Sequence, residues 1–154
     1  MQTKKEILDV IIKKLMENLE STIKQAGIAS GAAIDAPGRN ESRYDSTKEE
    51  MGYLSNALSE KALGMENVIK ELLNFSLPEK TEKIILGSLV EIYMNNNNQF
   101  IFLIPSGGGQ KIQVGSISIF TVSKQAPLYS ILIGKKIGET TSFNEKSIII
   151  KNIE

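Results

Sequence analysis

The sequence predicts an α+β protein, with an N-terminal antiparallel helical hairpin followed by a small, mostly antiparallel β domain carrying one short helix. Three observations support this. Apolar residues recur at three- and four-residue steps through two long stretches before residue 74, which is the spacing of one helix face. A Gly/Ala/Pro-rich segment, 27–39, separates those stretches. From Ile84 onward the apolar residues are mainly Ile, Val, Phe and Tyr, in short runs parted by Asn and Gly, a pattern of strands and turns.

The first helix is expected over about 3–27. Leu8, Ile12, Leu15, Leu19, Ile23 and Ala26 form its seam, Ile7, Ile11 and Met16 widen it, and Lys13, Lys14, Glu17, Glu20 and Lys24 take the wet side. At 1.5 Å per residue the helix is roughly 40 Å long. Gly31, Pro37 and Gly38 then break the pattern, with the Ala run able to carry the helix to Ile34. The second helix is expected over about 41–74. Asn40 or Ser42 can cap it, and Glu41, Asp45, Glu49 and Glu50 crowd its positive end. Its seam is Met51, Leu54, Leu58, Ala62, Met65, Ile69 and Leu72. Two seams of similar length joined by a breaker predict a hairpin domain over 1–77. Gly52, costly inside a helix, reads as a point of close approach by the partner helix.

Pro78 ends the second helix, and 78–83 reads as a linker to a C-terminal domain over 84–154. Strands are expected at 84–94, 99–104, 111–122 and 146–153, with a turn in the four-Asn run 95–98. The run Ser106 to Lys111, SGGGQK, lacks the spacing of a phosphate loop and precedes a strand rather than a helix. It reads as a hairpin loop. Residues 126–133, APLYSILI, suit one short helix with Pro at its start.

Composition narrows the chemistry. The 154 residues hold no Cys and no His, which excludes disulfides, thiolate nucleophiles, Ser-His-Asp triads and the usual zinc, haem and iron–sulfur ligand sets. Lys plus Arg number 18, as do Asp plus Glu; a formal charge of zero argues against broad nucleic-acid binding, which needs a basic face. No run approaches a membrane span, and the polar start does not resemble a signal peptide. A cytoplasmic monomer without a membrane partner is the expectation.

Two places invite a functional reading. Asp35, Glu41 and Asp45 cluster near the hairpin tip. They read either as ligands of a hard cation such as Mg²⁺ or as dipole compensation and capping at a helix start. The stretch Ser123 to Gly138, SKQAPLYSILIGKKIG, flanks an apolar helix with Lys124, Lys135 and Lys136. It reads either as a core helix with solvated ends or as a surface for a partner protein.

These residues resemble the bacterial Gre-type transcript cleavage and elongation factors. Tyr44-Asp-Ser-Thr-Lys48-Glu49-Glu50-Met-Gly52-Tyr53-Leu54 is similar to the family's run just past its hairpin tip. Ser123-Lys124-Gln-Ala-Pro127-Leu-Tyr-Ser-Ile-Leu132-Ile-Gly134-Lys135-Lys-Ile-Gly138-Glu139 is similar to its S-x-x-x-P…L-[LI]-G-K-x-x-G-D segment. Ile84-Ile-Leu-Gly87-Ser88-Leu-Val90 is similar to the strand that opens its C-terminal domain. The resemblance covers nearly the whole chain.

The resemblance implies an FKBP-like C-terminal domain and a hairpin that enters the secondary channel of RNA polymerase. Nucleic acid is then met only through the elongation complex. It also implies that the C-terminal domain docks at the channel rim, with Tyr44, Lys48, Ser123, Lys124, Pro127 and Lys135 as partner-binding residues. In the family two tip carboxylates help hold a second Mg²⁺ while the polymerase's own site cuts the RNA, so the factor is not itself an enzyme and has no cofactor of its own. Counting back from Tyr44, those two acids fall on Pro37 and Asn40, neither of which carries a carboxylate. Asp35 and Glu41 lie one or two positions away and are the remaining metal candidates. The expectation is a factor that binds polymerase and stimulates cleavage weakly or not at all. The alternatives are an FKBP-like peptidyl-prolyl isomerase or chaperone, and a structural protein-interaction module.

Overall fold

The computed structural model describes residues 3–35 and 45–154. Two long helices, α1 (Lys4–Asp35) and α2 (Asp45–Leu73), are followed by strands β1 (Leu89–Met94), β2 (Asn97–Ile104), β3 (Lys111–Val114) and β4 (Ile117–Ser123). Helix α3 (Pro127–Leu132) and strands β5 (Thr140–Phe143) and β6 (Lys146–Ile153) complete the chain. This is the α+β class. The chain forms two compact units, Lys13–Ile69 and Met1–Ile12 with Lys70–Glu154.

The unit Lys13–Ile69 is an antiparallel pair of helix segments, and its register refines the expected seam. Leu15, Thr22, Ala62 and Ile69 are buried. Ile23 and Leu54, both expected on the seam, are 51% and 47% exposed. A strict alternation of four- and three-residue steps explains the exchange. Continued from Leu8, Ile12, Leu15 and Leu19, it selects Thr22 and Ala26; counted back from Leu72, Ile69, Met65, Ala62 and Leu58, it selects Ser55. Ile23 and Leu54 each lie one residue, about 100° of helix, off that line. Geometry thus outranks side-chain polarity. Both hydroxyls are satisfied: Thr22 Oγ1 donates to Asn18 O at 2.9 Å within its own helix and reaches Met65 Sδ at 3.6 Å, while Ser55 Oγ donates across to Ala26 O at 3.3 Å.

Gly52 does not mark a close approach. A Cβ built there, or on Gly64, meets nothing within 4 Å, so each glycine is only an entropic weakness of its helix.

The unit Met1–Ile12 with Lys70–Glu154 opens on a capping box that the sequence reading passed over. Glu6 N–H donates to Thr3 Oγ1 at 3.3 Å, and Thr3 N–H donates to Glu6 Oε2 at 3.1 Å, so two orphan donors are met reciprocally. Ile7, Ile11 and Leu72 are fully buried. Lys4 Nζ donates to Pro78 O at 2.5 Å, and Ser106 Oγ to Glu71 Oε2 at 2.6 Å. Gly87, at φ 88°, is packed against the segment that follows α2: an added Cβ would sit 2.4 Å from Pro78 Cδ and 3.1 Å from Phe75 Cζ.

The six-stranded sheet has the order β3-β4-β2-β1-β6-β5. Its pairings are antiparallel except β2 with β4, which is parallel. The expected strand 111–122 is two strands, because Gly115 at φ 59° opens a two-residue turn of the kind that begins with a left-handed glycine. Strand β5 was not foreseen; Thr-Thr-Ser-Phe is too short to announce itself. Asn95 and Asn96 (φ 53° and 62°), and Asn144 and Glu145 (φ 50° and 65°), supply the paired left-handed residues of two further tight turns.

The glycine run 106–111 is not a hairpin loop. It carries the chain from β2 past the position of β4 to the outer strand β3, and β4 then returns between them. One face of the sheet packs Val90, Ile92, Ile101, Leu103, Val122, Ile148, Ile150 and Ile153 with Leu132 of α3 and with Ile84.

Two measurements check the seam. Leu15→Ala should cost about 2–4 kcal/mol, as for a buried leucine, and Ile23→Ala about 0.5 kcal/mol or less, both read from urea unfolding. Gly64→Ala should raise stability by up to about 1 kcal/mol in the same assay.

Candidate functional site

The segment Ser123–Gly138 begins where β4 ends and is presented by the sheet core beneath it. Ala126, in extended conformation (φ −75°, ψ 138°), caps α3, and Pro127 takes the first helical turn, where its missing N–H costs nothing. Leu132 is fully buried, and Ala126, Leu128, Tyr129 and Ile133 pack partly against the same core. One face of this short helix is thereby consumed.

The loop that follows is held by backbone bonds on both sides. Gly134 N–H donates to Ile84 O at 2.8 Å and Ile84 N–H donates to Lys135 O at 2.8 Å. Gly138 N–H donates to Ile150 O at 2.8 Å, and Ile150 N–H to Glu139 O at 3.0 Å. Gly134 and Gly138 stand at φ 79° and 86°, a region that side-chain-bearing residues rarely adopt. Glu139 Oε2 accepts from Lys136 N–H at 2.5 Å, which closes the turn.

With the backbone fixed, the exposed side chains are Lys124, Gln125, Pro127, Ser130, Lys136 and Ile137, while Ser123 and Lys135 are half-buried. Ile137 is 53% exposed, an apolar side chain between a lysine and a glycine. Sequence reasoning missed it, because a lone Ile among turn residues reads as core. The surface therefore combines ammonium groups with one apolar side chain on a stiff frame.

Ser123 has a different neighbourhood from its expected companions. A Cβ on Gly108 would lie 2.4 Å from Ser123 N and 3.0 Å from its Oγ, so the glycine loop covers it. Beside it Thr121, fully buried, holds the loop. Its Oγ1 accepts from Gln110 N–H at 3.0 Å and donates to Gln110 O at 3.2 Å. Ser123 is a packing contact, while Lys124 and Pro127 reach the surface.

The other predicted site residues are placed less fully. Asp35 is the last residue of α1 and Lys48 lies in the first turn of α2; the side chains of both are outside the described residues. Glu41 and Tyr44 lie outside the described residues altogether. Among the described residues no group of three or more Asp or Glu is arranged to hold a metal ion, and no helix is long and apolar enough to cross a membrane.

No protein-family model matches the chain, and no curated protein matches it. Among solved structures it is similar to the GreA factor homolog 1 (Gfh1) of Thermus thermophilus, at 17% identity and a TM-score of 0.37, over 93% of this chain and 94% of that one. A second structure, of the transcription factor Gfh1, gives 16% identity and a TM-score of 0.38 over 94% of this chain and 93% of that one. Gfh1 of Thermus aquaticus gives 18% identity and a TM-score of 0.35 over 92% of each chain.

Replacing Gly108 by Ala should force the loop off Ser123 and lower stability by about 1–3 kcal/mol, because the obstructing atom is backbone. The amide resonances of Thr121 to Lys124 should shift most. A neutral substitution would mean that the loop does not hold this end of β4.

Proposed function

We propose that the chain is a transcription-factor-like protein that binds RNA polymerase through its secondary channel, the hairpin entering the channel and the segment Ser123–Gly138 docking at the rim. The observation that supports this reading is the combination of a helix pair of 32 and 29 residues with a sheet domain presenting Lys124, Pro127, Lys136 and Ile137 on a fixed backbone. That is the arrangement implied by the resemblance of Tyr44–Leu54 and Ser123–Glu139 to the Gre-type factors. Tyr44 and Lys48 belong to the same proposed contact.

The same reading makes the protein a non-enzyme with no cofactor of its own, acting as a monomer. A carboxylate from the tip is what a second Mg²⁺ in the polymerase site would take from such a factor, since a hard cation prefers anionic oxygen. Pro37 and Asn40 stand where the family's acids align and offer none. Asp35 lies two positions before Pro37 in the sequence and Glu41 one position after Asn40, so neither carboxylate stands at an aligned position. The proposed action is therefore occupancy of the channel, with little or no stimulation of cleavage.

The test is titration of the labelled chain with core RNA polymerase from its own organism. Lys124→Glu combined with Lys135→Glu should weaken binding about threefold to tenfold, the range of two rim charges, with an unchanged melting temperature. Added to a backtracked complex with labelled RNA, the wild-type chain should leave Mg²⁺-dependent cleavage near its basal rate. Strong cleavage that disappears in Asp35→Asn or Glu41→Gln would make the tip a metal site. Absence of polymerase binding would overturn the whole reading.

A further inference from the structure

On the face of the sheet opposite α3, a groove of about 520 Å³ is lined by Leu89, Glu91, Phe100, Asn152, Glu154 and the β3–β4 turn from Val114 to Ile117. That volume lies in the usual range for ligand sites. Strand register shows why these side chains meet. Phe100 pairs with Glu91, and Glu91 with Asn152. Leu89 and Glu154 exchange both backbone bonds at 2.8 Å, so alternate residues of β1 and β6 share this face. The groove runs across β4, β2, β1 and β6, which are successive neighbours in the sheet. Three strand spacings make it roughly 14 Å long, the reach of about four extended residues.

Its chemistry is asymmetric. Leu89, Phe100, Val114 and Ile117 are apolar, and among the described residues the ionisable lining residues are two carboxylates, Glu91 and Glu154. They occupy diagonal cross-strand positions, roughly 7 Å apart. Residues two apart in an extended chain have nearly the same separation. Asn98 Nδ2 donates to Glu91 Oε1 at 2.9 Å and so orients that carboxylate. Glu154 also acts on Lys4, whose pKa is lowered by burial with the Glu154 charge opposing the shift.

We propose that this groove binds an extended segment of a partner protein carrying two basic residues one apart, Arg-x-Arg, with the arginine stems on the apolar floor and the guanidinium groups at Glu91 and Glu154. Alkyl stems of this kind cover apolar surface while their charge stays at the rim, and a guanidinium meets a carboxylate through paired N–H donors. The site is separate from Ser123–Gly138 and goes beyond the polymerase reading, standing or falling on its own.

The experiment is fluorescence anisotropy of the full chain with a fluorescein-labelled Gly-Leu-Arg-Leu-Arg-Leu peptide. Saturable binding is expected, lost or strongly weakened when citrulline replaces both arginines. Glu91→Gln, which keeps shape and the Asn98 contact, should weaken binding about threefold to fivefold. Ser116→Lys, an exposed change on the groove wall, should weaken it at least as much, with both variants melting like the parent. No saturable binding up to ~1 mM peptide, the weak end of useful affinity, would overturn the proposal. So would equal binding of the citrulline peptide, or equal binding by both variants. Competition by N-acetyl-arginine amide as effective as by the unlabelled peptide would overturn the extended-segment assignment in favour of a single-cation site.

Discussion

Thr121 is the point on which the C-terminal sheet turns. Its hydroxyl and backbone bind Gln110 and Gly109 from one side, with Gly109 N–H donating to Thr121 O at 2.7 Å and Thr121 N–H to Gln110 O at 2.8 Å. A buried hydroxyl without such partners would be costly. Fully satisfied, it fixes the loop that leads from β2 to the outer strand β3. Gly108 permits this by having no side chain where Ser123 lies. Strand β4 is thereby placed between β3 and β2, parallel to the latter, and releases the chain at Ser123 toward α3. Lys124 follows directly from that release point, while Lys136 and Ile137 are held farther along by the backbone bonds to Ile84 and Ile150.

A comparable constraint governs the hairpin shaft. Strict heptad spacing selects Thr22 and Ser55 for the seam and leaves Ile23 and Leu54 exposed. Thr22 tolerates this because its helix offers a carbonyl four residues back, that of Asn18, and Ser55 because the carbonyl of Ala26 on the other helix accepts from it. The seam is correspondingly weaker where Thr22 replaces a leucine, since less apolar area is removed from water.

Most of the architecture was legible in the sequence. Periodicity announced both long helices, and Pro127 placed the start of α3 to within a residue. What escaped was non-local. Nothing in SGGGQK distinguishes a hairpin from a crossover; that depends on Thr121, eleven residues away from Gln110. The β3–β4 turn was hidden because Gly115 lies inside a run that is strand-like on both sides. In the candidate site, Lys124, Pro127 and Lys135 were named from resemblance, whereas Ile137 stands out only by its exposure and the groove around Glu91 only by register. Side chains from several strands meet there, and none is a motif in its own segment.

The proposed role needs a hairpin and a sheet domain that serve one macromolecular partner, with a tip that occupies a channel rather than supplying a metal ligand. The most direct measurement is the structure of the chain bound to core RNA polymerase. The proposed role predicts helical density for the hairpin inside the secondary channel, with Lys124, Lys136 and Ile137 against its rim. A bound chain whose hairpin lies outside the channel would contradict it.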